Sequence, residues 1–154
     1  MLKKLFLLVA IGLMSLSCSQ NTPVKFKNMI NVSASNGIKF KIPEKYEYVE
    51  LGNEIRVRPV EDERRKLRVP DDIRIKLIDA ISNNGSYKIK NLEGREIHYK
   101  IIEDEGGSAG PGFELRAWIK IKNNFVLITS YTQTERGQPN FDVAWAIIPT
   151  IVIN

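Results

Sequence analysis

The sequence predicts an α+β domain, an antiparallel β-sheet with a C-terminal helix packed on it in a two-layer sandwich. Three observations carry this. Between Gly37 and Tyr131, apolar residues recur at every second position in short runs, the period of strands with one buried face. Glycine, asparagine and proline punctuate those runs. Only after them does the apolar spacing change to three and four, the period of a helix face. A chain of 154 residues, 43% hydrophobic and 27% charged, has a globular balance and room for a single domain.

The first residues stand apart from that domain. Lys3 and Lys4 precede the uncharged run Leu5 to Met14, the basic and apolar regions of an export signal. The run is too short to span a bilayer, which needs about 20 apolar residues. Ser15-Leu16-Ser17-Cys18-Ser19 follows. A small residue before a cysteine at the end of such a run resembles a bacterial lipobox, with Ser15 where leucine is usual. The resemblance implies cleavage before Cys18 and acylation of that cysteine, with palmitate among the chains. Ser19 in place of Asp implies sorting to the outer membrane, facing the periplasm. Several acyl chains hold a protein on a bilayer where one does not. The organisation read from the chain is therefore a lipoprotein signal peptide over 1–17, a lipidated cysteine and tether over 18–35, and a single α+β domain over 36–154.

Within the domain, Ile38, Phe40 and Ile42 alternate with lysines up to Pro43, the pattern of a half-buried strand. Tyr46, Tyr48 and Leu51 form a second strand, and Glu54 to Arg58 a third across the Gly52-Asn53 turn. Glu61 to Lys66 is a mixed-sign charge run, read as a solvated connection. Asp72 to Leu77 alternates again, and Asn83-Asn84-Gly85 is a turn signal. Tyr87 and Ile89, then Ile97, Tyr99 and Ile101, predict a hairpin around Glu93-Gly94. Phe113, Leu115, Ala117, Ile119 and Ile121 share one face of the next strand. After the Asn123-Asn124 turn, Phe125 to Tyr131 is apolar on both faces, as a strand near the sheet centre is. Phe141, Ala144, Trp145 and Ile148 predict the closing helix, capped by Asn140 and stopped by Pro149.

The composition excludes much chemistry. With one cysteine, Cys18, and one histidine, His98, the chain forms no internal disulfide and no four-ligand Cys/His zinc site. It carries no P-loop, dinucleotide fingerprint, GxSxG or HExxH. His98 alternates with Ile97 and Tyr99 and reads as a solvent-facing strand residue. Removing residues 1–17 removes Lys3 and Lys4, so the formal charge falls from +5 to +3. Mixed signs behind an export signal leave no nucleic-acid footprint.

Two segments stand out as candidate binding elements. Ile102 to Gly112 contains three successive carboxylates, Glu103, Asp104 and Glu105, then a glycine-rich loop with Gly106, Gly107 and Ser108. It reads either as a solubilising hairpin tip or as a recognition loop whose glycines permit close approach. Thr132 to Pro139, with Gln133, Glu135 and Arg136, is a second polar, turn-rich segment between the last strand and the helix, read either as a plain connector or as a binding element.

The order Gly94-Arg95-Glu96 to Tyr99, Asp104-Glu105-Gly106-Gly107-Ser108, Ala117-Trp118 and Pro139 to Trp145 resembles the periplasmic lipoprotein immunity proteins of type VI secretion. Within these, it resembles the Tsi type, which neutralises a peptidoglycan-cleaving muramidase. The likeness covers the body from about Gly37 onward. The strand-rich body is also similar to the wider PsbP/DcrB-like architecture, as at Gly37-Ile38-Lys39-Phe40-Lys41-Ile42-Pro43. What the resemblance implies is a binding protein and not an enzyme. Its partner is a cognate peptidoglycan-degrading effector, whose substrate groove it blocks by inserting loops. No cofactor is implied, with calcium entering only at the effector interface. The partner-binding residues inferred with it are Glu103 to Ser108, Gln133, Glu135 and Arg136. Two other readings compete: an envelope lipoprotein of PsbP/DcrB-like fold with a structural or assembly role, and a wall-acting enzyme using Glu103, Asp104 or Glu105.

Overall fold

The computed structural model describes residues 24–61, 72–81, 86–107, 110–134 and 139–154. Its strands are β1 (Met29–Ser33), β2 (Ile38–Pro43), β3 (Tyr46–Leu51), β4 (Glu54–Pro59) and β5 (Ile73–Ile78), followed by β6 (Lys88–Leu92), β7 (Arg95–Gly107), β8 (Gly110–Ile121) and β9 (Asn124–Gln133). The helix α1 (Asp142–Ile147), a 3-10 turn (Ile148–Thr150) and β10 (Val152–Ile153) complete it. The strands form two antiparallel sheets, one ordered β1-β2-β10 and one ordered β3-β4-β5-β9-β8-β7-β6.

Alternation in the sequence sets which face of the large sheet is buried. Ile55, Val57, Ile73, Ile75, Ile97, Leu115, Ala117, Ile119, Val126 and Ile128 share one face, and all are buried. This inner face forms one core with Ile38, Phe40 and Ile42 of β2 and with Phe141, Ala144, Trp145 and Ile147 of the closing segment. The small sheet and α1 thus make up the second layer together. Phe40 meets Tyr48 edge-on with centroids 6.4 Å apart, and Trp145 meets Tyr99 edge-on at 5.1 Å. The strand from Phe125 to Tyr131 lies in the middle of the seven, as its two-sided apolarity predicts.

Several sequence expectations are corrected. The sequence led to one sheet with a helix; there are two sheets. The domain starts before residue 36, because β1 falls inside the expected tether: Val32 pairs with Phe40 and is buried. β1 escaped notice because an edge strand tolerates polar residues such as Asn31 and Ser33. The helix starts later than expected, with Phe141 as its N-cap, while Asn140 Oδ1 accepts the Asp142 amide at 2.8 Å. The α-helix does end before Pro149, but the chain tightens into a 3-10 turn and returns as β10, pairing with β2 through Val152–Lys39 and Ile153–Ile38. Of the charge run, only Glu61 lies within the described residues, and Asn83-Asn84-Gly85 lies outside them. The Glu93-Gly94 turn has both residues at positive φ, 50° and 78°, as a two-residue hairpin turn requires.

Candidate functional site

The acidic segment does not form a loop. β7 runs through Glu103, Asp104, Glu105, Gly106 and Gly107, and β8 starts at Gly110. Glu103 pairs with Phe113, Asp104 with Gly112, and Gly107 with Gly110, with a register shift between Asp104 and Gly107. Backbone pairing along the longest hairpin outweighs the turn-forming tendency of the glycines. The pairing also divides the carboxylates. Successive residues of a strand point to opposite faces, so Glu103 and Asp104 do not share a face. They do not form a carboxylate pair facing one substrate.

The outer, solvent-facing side of the sheet carries Asp104, and there the two sequence-derived segments meet. Asp104, Gly112 and Gln133 stand opposite one another on β7, β8 and β9. Gln133 ends β9, and the next residue is tied to the hairpin by its amide, Thr134 N–H to Pro111 C=O at 3.4 Å. Of the remaining candidates, Cys18, Ser108, Glu135 and Arg136 lie outside the described residues.

What organises this corner does not show in the order of residues along the chain. The Gly112 amide donates to Asp104 Oδ1 at 3.0 Å, and the Tyr131 hydroxyl donates to Asp104 Oδ2 at 3.4 Å. The Tyr131 ring lies over Gly112, where an added Cβ would overlap the phenol and the Asp104 carboxylate. A glycine covered by a cross-strand aromatic ring is a known way to complete a sheet. Partial burial first, and then the charge and hydrogen bond of Asp104, raise the Tyr131 phenol above its ordinary value. The signal lay in the sequence as Gly112 in strand phase with Asp104 and Gln133, but only the register shows it.

The aromatic residues elsewhere have other duties. Trp118 is on the outer face yet 5% exposed, because Tyr87 and His98 pack beside it. It is covered by its own chain. His98 is half-buried, not fully solvent-facing, with Nε2 2.7 Å from Glu96 Oε1. Among the described residues, no three His, Cys, Asp or Glu side chains gather as a metal site would require.

The corner is a polar patch at the end of the sheet, with the Asp104 carboxylate held by Gly112 and Tyr131 and the Gln133 amide on the same rung. Such a surface suits recognition, and comparison with known proteins gives it a context. A family model described as the type six secretion immunity 3 domain matches residues 39–152. Over 141 residues the chain is 28% identical to the immune protein Tsi3 of Pseudomonas aeruginosa, covering 92% of each chain. Among solved structures, a crystal structure from Bacteroides thetaiotaomicron VPI-5482 shares the fold with a TM-score of 0.62 at 9% identity. That alignment covers 80% of this chain and 48% of the other, so the chain spans about half of that protein's length. With the family match running from β2 to β10, over most of the chain, the chain belongs to the type six secretion immunity 3 family.

Proposed function

We propose that this type VI immunity protein binds a secreted peptidoglycan muramidase in the periplasm and blocks its substrate groove. It is a stoichiometric inhibitor, not an enzyme, and uses no cofactor of its own. Calcium enters only at the effector interface. The observation that carries the reading is the family match over residues 39–152, joined to an export signal ending at Cys18. Acyl chains on Cys18 tether it to the outer membrane, where an injected wall-cleaving toxin acts. The PsbP/DcrB-like reading of the sandwich belongs to the same proposal and rests on the opening strand Ile38–Pro43.

The surface that meets the groove is the sheet end bearing Asp104 and Gln133, together with the adjoining segments 105–108 and 135–136. Its support is the convergence of both sequence-derived segments on one edge. The test is co-purification with the effector encoded beside its gene, with a muramidase assay on purified wall. A stable complex that abolishes wall cleavage is expected, and Asp104→Lys with Gln133→Lys weakens it at least tenfold. Full cleavage in the presence of excess protein would sink the reading.

A further inference from the structure

The hairpin of β6 and β7 is uneven. β7 has thirteen residues, and β6 pairs only with the first five, Arg95 to Tyr99, its own first residue Lys88 standing opposite Tyr99. From Lys100 onward, among the described residues, β7 has β8 on one side and no strand on the other. The pairing with β8 stays in register as far as Asp104. Lys100 to Asp104 is therefore an open edge of five residues, as long as β6 itself.

Two turns decide which backbone groups face that edge. Glu93 and Gly94 make a two-residue turn, so Leu92 and Arg95 exchange backbone hydrogen bonds, and Arg95 directs its N–H and C=O to β6. Bonding alternates along an antiparallel strand, so Ile97, Tyr99, Ile101 and Glu103 direct theirs to the same side. The Lys122-Asn123 turn agrees. Counted back from the Ile121–Asn124 pair, β8 gives its odd-numbered residues to β9 and its even-numbered ones to β7. Arg116 and Glu114 thus bond Lys100 and Ile102. The N–H and C=O groups of Ile101 and Glu103 face the open edge, where no strand receives them among the described residues.

The side chains match the opening. On the inner face the cover reaches Tyr99, on which Trp145 packs at 5.1 Å. The next residue on that face, Ile101, is 45% exposed although its partner Leu115 is fully buried. Glu103 follows on the same face, exposed and without an ion pair among the described residues. The two outer-face charges of the stretch turn along the sheet toward β8 and β9. The Lys100 ammonium lies 5.9 Å from the Trp118 ring centroid, and Asp104 takes the Gly112 amide and the Tyr131 hydroxyl. An unpaired edge is a ready template for another extended chain. We propose that the edge of β7 from Lys100 to Asp104 receives an extended segment of the effector as an added strand. The inference rests on the immunity reading and deepens it, because Asp104 belongs both to this edge and to the corner proposed to meet the effector. Ladder hydrogen bonds to Ile101 and Glu103 supply affinity, and side chains at alternate positions supply the choice of segment. The segment that fits carries an apolar residue beside Ile101. Two positions away, on the same face, it carries a lysine or arginine beside Glu103.

The experiment is amide hydrogen exchange of the full chain, free and bound to the neighbouring gene's effector. In the free protein the amides of Ile101 and Glu103 are expected to exchange fast and that of Ile102 slowly. In the complex those of Ile101 and Glu103 are expected to slow by about a hundredfold or more, with Ile102 unchanged. Glu103→Pro removes an edge N–H and spares the β7–β8 ladder, so it is expected to fold and to bind about tenfold or more weakly. Glu103→Gln keeps that N–H and is expected to lose less affinity than the proline variant. If the proline variant does not fold, exchange at Ile101 and Glu103 decides alone. Fast exchange at both residues in a formed complex would overturn the added strand and leave the immunity reading standing. Slow exchange at both in the free protein would also overturn it, by placing the partner within this chain. Protection in the free protein that disappears on dilution would do the same, by assigning the edge to a second copy. Wild type that binds no effector would overturn the immunity reading and this inference with it.

Discussion

At the scale of residues, the Gly112–Tyr131–Asp104 corner shows how one missing side chain permits a site. The phenol occupies the space a Cβ would need. Gly112→Ala is expected to destabilise the fold by about 1–3 kcal/mol, as overpacking does, measured by denaturant unfolding. The phenol offers a second check. In the folded protein its pKa is raised above 10.0 by burial and Asp104. The stabilisation is therefore complete below the unfolded phenol's pKa and is lost as pH rises through the folded value. Tyrosinate absorbance should show Tyr131 ionising later in wild type than in Asp104→Asn. Identical titrations would remove Asp104 from the account. The sequence displayed all three residues, but as separate pieces: Tyr131 in an apolar run, Asp104 among acids, Gly112 among glycines. Which glycine matters depends on neighbours from the strands before and after it.

At the scale of elements, most strands were legible because their alternation is a local property. Glu54–Pro59 buries every second residue, Ile38–Pro43 does so as far as Ile42, and Ile73–Ile78 begins the same way with Ile73 and Ile75. The acidic segment misled because glycine and charge signal a turn locally, whereas partner strands extended it into a hairpin. The closing helix is only six residues long, too short to persist alone, and tertiary contacts hold it. Trp145 packs on Tyr99 while the Lys90 ammonium lies 4.4 Å from its ring centroid. Trp145→Ala should therefore cost about 3–5 kcal/mol in denaturant unfolding, typical of a buried aromatic truncation. The Lys122 turn carries a smaller effect. Its φ of 56° strains a residue with a side chain. Lys122→Gly is expected to raise stability by about 0.5–1 kcal/mol, seen as a higher denaturation midpoint.

At the scale of the molecule, the two layers divide the labour. The inner face is apolar and closed by the small sheet and α1, so among the described residues the outer face of the seven strands is the side turned away from the core. The proposed tether is tested at this scale too. Cys18→Ser is expected to move the protein from the membrane fraction to the soluble periplasmic fraction without altering effector binding, measured by fractionation and pull-down. Retention in the membrane fraction would refute lipidation at that cysteine. Deleting the gene should leave cells sensitive to siblings that fire the effector, and complementation should restore growth.

Much of this protein's outline was determined by the sequence alone. The strand-by-strand alternation, the terminal helix and the family likeness are carried by neighbouring residues or by order along the chain. Tertiary structure decided what depends on pairing between distant segments. It recruited β1 and β10 into a second sheet and joined Asp104 to Gln133. It also placed Glu103 on the face opposite Asp104, and set three arginines and a lysine, Arg56, Arg74, Arg116 and Lys100, from four separate strands in one row. The physical reason is register: a strand's period of two shows that it has two faces, but only hydrogen bonding to its neighbours decides which residues share them.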